Sequence, residues 1–379
     1  MSAAVTAARA GEGPRLRVQV AQRAPIPLDA RFDCGPGELL ALVGPSGSGK
    51  TTLLRAIAGL HRPAQGTIEC GETFLDTARR VDRPPQARRV GFVFQQYALF
   101  PHMTALGNVA AALPPMSRTV RARRAAELLE RVHLAGLEER YPAALSGGQQ
   151  QRVAVARALA REPRVLLLDE PFSAVDRVTR QKLYRELAEL RRSLAMPVVL
   201  VTHDLDEAAA LADRLCIVHR GRTLQIGTAD EVMLRPADAL VARLVDQRNV
   251  GQATVVAGSP GTTAGVLDWH GYRLEVADLR GRRVGDTVEW LVPVAGIIMH
   301  RRDRPSRGER ENPLPGVVTH CLGLGQDLIV TLQVDRAQTL ELRVPRHVAA
   351  RNAVDVGARM SVSLLADMIH VMPPAPPPE

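Results

Sequence analysis

Leu39-Leu40-Ala41-Leu42-Val43-Gly44-Pro45-Ser46-Gly47-Ser48-Gly49-Lys50-Thr51-Thr52 is the stretch on which the reading of the whole chain turns. The apolar run from Glu38 to Val43 reads as a buried strand ending in glycine, and Lys50 to about Leu60 reads as a helix. Between them, Gly44 to Thr51 fits G-x-x-x-x-G-K-[ST] in the setting that pattern requires, strand before and helix after. Its glycines let backbone N–H groups wrap phosphates, and the helix start adds a partial positive charge. Gly44 to Thr52 thus form a candidate phosphate cradle, with Lys50 reaching the β- and γ-phosphates and Thr51 holding Mg²⁺. A chance glycine-rich turn is the alternative, and the flanking strand and helix argue against it. Of 49 basic residues only Lys50 and Lys182 are lysine. A chain that otherwise uses arginine keeps a compact point charge at position 50, not a planar fork.

Working outward, Val165-Leu-Leu-Leu-Asp169-Glu170 places two carboxylates at the end of a buried strand. Asp169 suits the Mg²⁺ shell and Glu170 a general base that orients the attacking water. A strand merely turning into solvent is the bland reading, weakened by the phosphate loop. Pro197 to Thr202 is a third apolar run, and Leu183, Leu187, Leu190 and Leu194 form one helical stripe before it. Strands alternating with helices imply a parallel sheet covered on both faces. Leu145-Ser146-Gly147-Gly148-Gln149 is a second anion-binding pattern: Ser146 caps the following helix, and the two glycines leave its backbone open. It lies too far along the chain to belong to the first loop, but makes sense if it closes over the nucleotide of another subunit.

With these motifs together the chain resembles the ATPases of ATP-binding-cassette (ABC) transporters over at least residues 30 to 240. The resemblance implies a RecA-like P-loop α/β core with a helical subdomain, using ATP and Mg²⁺. It further implies that Gln95, in Phe92-Val-Phe-Gln95-Gln96, contacts Mg²⁺ and the attacking water. Ser173-Ala-Val-Asp176 matches the D-loop, with Asp176 beside the nucleotide, and His203 matches the switch histidine at the γ-phosphate. The catalytic set is then Glu170, His203 and Gln95, and the metal set Thr51, Gln95 and Asp169. Ser146, Gly147, Gly148 and Gln149 serve the ATP of a partner subunit. A homodimer coupled to two integral-membrane permease subunits, and indirectly to a substrate-binding protein, is implied by the same resemblance. One family feature is missing: where an aromatic usually stacks on adenine, the sequence reads Ala21-Gln22-Arg23.

After about Arg248 the texture changes to short β-like segments, Thr287–Val292, Leu328–Val334, Leu340–Val344 and Met360–Leu365, separated by Gly, Asp and Pro. Asn312-Pro-Leu-Pro-Gly316, with the strand-like segments from there to about Val371, is similar to the Mop/TOBE-like β-barrel (OB-like) of molybdate-import ATPases. Tyr97-Ala-Leu-Phe-Pro-His-Met-Thr is similar to the importer stretch that meets the membrane subunit. The expected domains are a disordered 1–14, an ATPase domain at 15–245, a β-rich segment and linker at 246–311, the barrel at 312–372 and a disordered 373–379. The expected cargo is molybdate or tungstate, with that anion bound at the barrel; sulfate, ferric iron and polyamine are the alternatives. A non-enzymatic oxyanion regulator explains the tail alone and leaves residues 44 to 203 unexplained.

Composition limits the rest. A chain of 379 residues suits two domains. The formal charge of +9 comes from dispersed arginines with only 3% aromatic residues, so no nucleic-acid stacking platform is expected. Cys34, Cys70, Cys216 and Cys321 are scattered, without a CxxC pair, and read as idle thiols of a reducing compartment. No apolar run approaches a membrane span and the N-terminus lacks an apolar signal core. The expected location is the cytoplasmic face of the inner membrane, as a peripheral protein.

Overall fold

The structure is a computed structural model that describes residues 13–173, 175, 177–258, 261–300, 311–335 and 338–374. Asp176, the chain ends at 1–12 and 375–379 and the basic run at 301–310 lie outside the described residues. Two compact units result, one up to Ala229 and one from Asp230. Among the described residues no helix is long and apolar enough to cross a membrane.

The first unit opens with β1 (Leu16–Gln22), β2 (Leu28–Cys34), β3 (Leu39–Val43) and α1 (Lys50–Ala58). It continues through β4 (Gln65–Cys70), β5 (Thr73–Asp76), β6 (Val81–Asp82) and β7 (Val90–Val93). Three helices come next: α2 (Ala105–Ala110), α3 (Arg118–Arg131) and α4 (Gly147–Leu159), packed on one another as a helical subdomain. The unit closes with β8 (Val165–Asp169), α5 (Arg177–Arg192), β9 (Val198–Thr202), α6 (Leu205–Leu211), β10 (Arg214–His219) and β11 (Arg222–Gly227). All these strands join one 11-stranded sheet in the order β6-β5-β4-β1-β2-β11-β10-β3-β9-β8-β7.

The expected parallel sheet accounts for half of it. Strands β10, β3, β9, β8 and β7 are parallel neighbours. Their central members, β3, β8 and β9, are buried along their whole length. The other half, β1, β2 and β4 to β6, is an antiparallel wing. Alternate residues of β1 and β2 are buried, the period-2 pattern of a sheet with one wet face. Leu16, Val18 and Val20 from that wing join Leu53, Leu54 and Ile57 of α1 in the same core.

Helix α1 carries the phosphate loop at its start, and its far end is clamped. Gly59, at φ 80, ends the helix, and Arg88 covers the exposed carbonyls. The Arg88 side chain is buried, at 1% exposure; it donates to Ala56 O at 2.7 Å, Ile57 O at 3.0 Å, Arg83 O at 2.7 Å and Asp82 Oδ1 at 3.1 Å. A Cβ at Gly59 would come 2.7 Å from Arg88 Nε, so glycine is required for space as well as for φ. Arg88→Met strips the donor from buried carbonyls and from Asp82, which costs roughly 2–3 kcal/mol. At this size that is a fall in melting midpoint of roughly 4–12 °C, read by differential scanning calorimetry; an unchanged midpoint would show the clamp to be idle.

The second unit contains α7 (Ala229–Leu234), most of it beyond the unit boundary, and α8 (Ala239–Leu244). After them come β12 (Val250–Gly258), β13 (Gly265–Trp269), β14 (Tyr272–Val276), β15 (Thr287–Leu291) and β16 (Ile297–Met299). It ends with β17 (Glu311–Leu324), β18 (Asp327–Gln333), β19 (Thr339–Pro345), α9 (Arg346–Arg351), β20 (Arg359–Leu365) and β21 (His370–Met372). Two five-stranded antiparallel sheets result, β14-β13-β12-β15-β21 and β16-β20-β17-β18-β19, over one shared apolar core. The last strand, β21, returns to pair with β15, so residues 246–311 and 312–372 interlock in one body. Two asparagines stitch the sheets through backbone-like pairs. Asn249 bonds both Glu341 N (2.7 Å) and Glu341 O (2.8 Å). Asn312 accepts from Glu275 N (2.6 Å) and donates to Glu275 O (3.0 Å) and Leu364 O (2.9 Å). Both donors of Asn312 are therefore engaged, leaving none for an anion at the start of the segment where oxyanion binding was expected.

Candidate active site

The phosphate loop is shaped by glycine in two different ways. Gly44 is forced by space, since a Cβ there would lie 2.0 Å from Val218 O. Gly47 and Gly49 are forced by conformation, at φ 77 and 97, and Gly47 has open space around it. Pro45, Ser46 and Gly47 are exposed on the loop crest; Ser48 and Lys50 are buried, and Thr51 and Thr52 are half-buried at the start of α1. Lys50 folds back over its own loop, donating from Nζ to Gly44 O (2.8 Å), Pro45 O (2.9 Å) and Ser48 Oγ (3.4 Å). Burial lowers its pKa, opposed by Glu170 and Asp169. An ammonium held among carbonyls in this way is parked where phosphate oxygens compete for it.

β8 delivers the two acids to opposite tasks because it ends between them. Asp169 is the last strand residue, 6% exposed, and its Oδ1 accepts from Thr51 Oγ1 at 3.0 Å. Burial raises its pKa, and the Thr51 bond works against that rise. No group of three or more His, Cys, Asp or Glu side chains that could hold a metal occurs among the described residues. A hydroxyl and a carboxylate are instead the oxygen donors Mg²⁺ takes beside nucleotide phosphates, so Thr51 and Asp169 fit that ion.

Glu170 leaves the strand in a left-handed conformation, φ 44. Two side chains from other elements converge on it. Gln95 Nε2, just after β7, donates to Oε2 at 3.1 Å, and His203 Nδ1, just after β9, lies 3.4 Å from Oε1. Thr51, Gln95, Asp169, Glu170 and His203 therefore meet at the ends of β3, β7, β8 and β9, on one edge of the parallel half-sheet.

Ser146 to Gln149 are placed differently. Ser146 Oγ accepts from Gln149 N (3.3 Å) while Gln149 Oε1 accepts from Ser146 N (2.9 Å), a full capping box at the start of α4. Among the described residues none of its hydrogen bonds reaches the Glu170 cluster. The first-turn N–H groups of Gly147 and Gly148 have no intrahelical acceptor. Ser146 is exposed, so this cap is offered outward.

Three contributors were not read from the sequence as parts of this site. Beneath His203, Thr202 Oγ1 donates to Glu207 Oε2 (3.0 Å) and accepts from Asp204 N (3.0 Å), and Asp204 Oδ1 in turn caps α6 through Glu207 N (3.0 Å). Burial pushes the Glu207 carboxyl up to about 7. Tyr97 and Arg157 brace the loop after Gln95. Glu207 could have been suspected from an acid set in an otherwise apolar helix face; Tyr97 was read only as the start of a stretch that meets a membrane subunit, and Arg157 offered nothing local.

The ABC transporter family profile matches residues 28–173, and the TOBE domain profile matches residues 298–372. The sulfate/thiosulfate import ATP-binding protein 2 of Rhizobium meliloti (strain 1021) is 49% identical over 237 residues, spanning 61% of this chain and 63% of that protein. A sulfate/thiosulfate import ATP-binding protein of Agrobacterium fabrum is 41% identical over 342 residues, 88% of this chain and 91% of that protein. The spermidine/putrescine import ATP-binding protein of Oleidesulfovibrio alaskensis is 42% identical over 301 residues, 79% of this chain and 78% of that one.

Proposed function

This chain belongs to the ABC-transporter family of ATP-binding proteins, and from that premise we propose that it hydrolyses ATP to drive import of a small oxyanion, sulfate or thiosulfate. The convergence of Gln95 and His203 on Glu170, one residue from the Thr51–Asp169 pair, carries the reading. Lys50 and the loop N–H groups hold the β- and γ-phosphates. When bound beside Thr51 and Asp169, Mg²⁺ neutralises phosphate charge. Glu170 orients water and accepts its proton as oxygen attacks the γ-phosphorus and the bond to the ADP oxygen breaks. Gln95 and His203 each hold one carboxylate oxygen of Glu170, which aims the base.

In the active form two chains face each other, with Ser146 to Gln149 of one closing over the phosphates at Lys50 of the other. Closure drives a pair of membrane subunits, and the chain sits on the cytoplasmic face of that membrane. The relatives described above are named for sulfate/thiosulfate and for spermidine/putrescine. The expected molybdate cargo gives way to the sulfate alternative, supported by the Agrobacterium relative that matches across both units. Deleting the gene in the source organism should abolish uptake of radiolabelled sulfate and leave spermidine uptake intact. The reverse pattern would transfer the assignment to polyamines.

A further inference from the structure

Just beyond Gln95 the backbone does something its residues disfavour. Tyr97 and Ala98 both occupy the left-handed region, at φ 60 and 47, with no glycine in either place. Two consecutive L-residues there are disfavoured by contact between Cβ and the backbone, so the surrounding structure must hold them. The holder is Arg157 of α4. Its Nη1 donates to Ala98 O at 2.7 Å and its Nη2 to Tyr97 O at 2.8 Å, one guanidinium edge across two successive carbonyls. Its Cζ also lies 5.5 Å from the centre of the Phe100 ring. Burial lowers the Arg157 pKa, and among the described residues it has no carboxylate partner. A half-buried cation whose two parallel N–H groups are committed to two successive carbonyls specifies this loop geometry. The loop's other anchor is Tyr97 itself, buried, whose hydroxyl donates to Pro171 O at 3.3 Å, the residue after Glu170.

The same helix that bears Arg157 begins at the Ser146 cap. Eleven residues of α-helix span about 16 Å, and the rod between them is continuous. We infer that Arg157 is a positioning residue that locks the loop behind Gln95 to helix α4, so that displacement of the Ser146 cap is transmitted to Gln95 and Glu170 of the same chain. In the proposed dimer, the cap of one chain serves its partner's nucleotide, so the lock makes each site's base sensitive to occupancy of the other site. This rests on the ATPase reading and deepens it.

The test compares steady-state ATP hydrolysis and fluorescent-nucleotide binding of the full chain with R157Q, R157K, A98G and R157Q/A98G. R157Q should lower kcat by about 10- to 100-fold, the scale of a catalytic group displaced by about an ångström, with nucleotide affinity within about twofold. Cooperativity in ATP should fall with it. R157K, which replaces a rigid planar fork by one nitrogen on a shorter, flexible stem, should restore both only in part. A98G alone should stay near wild type. In the R157Q background it should recover kcat severalfold, because glycine takes the left-handed conformation freely. A packing defect at position 157 gains nothing from glycine at 98. Should R157Q not fold, Tyr97→Phe removes the Pro171 anchor alone and should lower kcat measured well below its melting midpoint, which falls by only a few degrees. Unaltered kcat and cooperativity in R157Q, absence of rescue by A98G, or a silent Tyr97→Phe overturns the lock. Absence of hydrolysis by the wild-type chain would instead overturn the ATPase reading itself.

Discussion

With Glu170 replaced by glutamine, the protein should bind ATP as before and hydrolyse it roughly 10²- to 10⁴-fold more slowly, the usual loss on removing a general base. Glutamine matches glutamate in shape, and the neighbours permit it. Its amide oxygen can still accept from Gln95 Nε2, now at 3.1 Å from Oε2, and its NH₂ can face His203 Nδ1, now 3.4 Å from Oε1. The left-handed backbone at Glu170, held by the Glu170 N to Val201 O bond of 3.0 Å, does not depend on side-chain charge. The Thr51–Asp169 pair is untouched, so the oxygen donors suited to Mg²⁺ remain. What disappears is the carboxylate that takes a proton from water at that point. A nucleotide that binds but is not cleaved should hold two chains together, so the variant should also elute as a dimer with ATP in size-exclusion chromatography. Single-turnover phosphate release measures the rate. Near-normal turnover would remove Glu170 from the role of base.

The parts legible in the sequence were those whose physics is local. The phosphate loop could be read because a strand, a set of glycines and a helix start are adjacent along the chain. Asp169 and Glu170 could be read because a fully apolar strand ends on them. Gln95 and His203 had no such support: each comes after an ordinary strand, and only the family resemblance singled them out. Their meeting at Glu170 is a property of strand order, since β7, β8 and β9 are neighbours although 75 residues separate Gln95 from Glu170. The antiparallel wing was written in the alternation of Leu16, Val18 and Val20, but short strands of that kind are weak signals beside the βα repeats. The left-handed pair at Tyr97 and Ala98 had no signal at all, because it is imposed by Arg157 from a distant helix. In the second unit only the strands that became β15, β18, β19 and β20 were visible one by one. Their partition into two sheets was not, because it depends on β21 pairing with β15 from far along the chain.

Ser146→Arg should abolish hydrolysis while each chain still binds nucleotide at its own phosphate loop. Among the described residues the Ser146 side chain makes one hydrogen bond, Oγ accepting from Gln149 N at 3.3 Å, while its backbone N–H donates to Gln149 Oε1 at 2.9 Å. Losing the hydroxyl therefore costs α4 about 1 kcal/mol and leaves the fold standing. Ser146→Ala is the control for that loss and should retain measurable activity. Arginine adds a long cation at an exposed helix start, beside the first-turn N–H groups without intrahelical acceptors, which are the reason for expecting a phosphate there. Nothing in the variant alters Lys50, Thr51 or Asp169, so binding measured on the single chain should not change. The decisive measurement mixes this variant with Lys50→Ala, which is also inactive alone. In a mixed dimer one site combines both lesions, and the other pairs an intact phosphate loop with an intact cap. Random pairing makes about half the dimers mixed, each with one complete site of two, so about a quarter of wild-type sites should return if the twofold arrangement holds. Recovery of that order in a mixture of two inactive proteins has no explanation within a single chain. No recovery, or normal hydrolysis by the Ser146 variant alone, would show that the cap does not serve a partner's nucleotide.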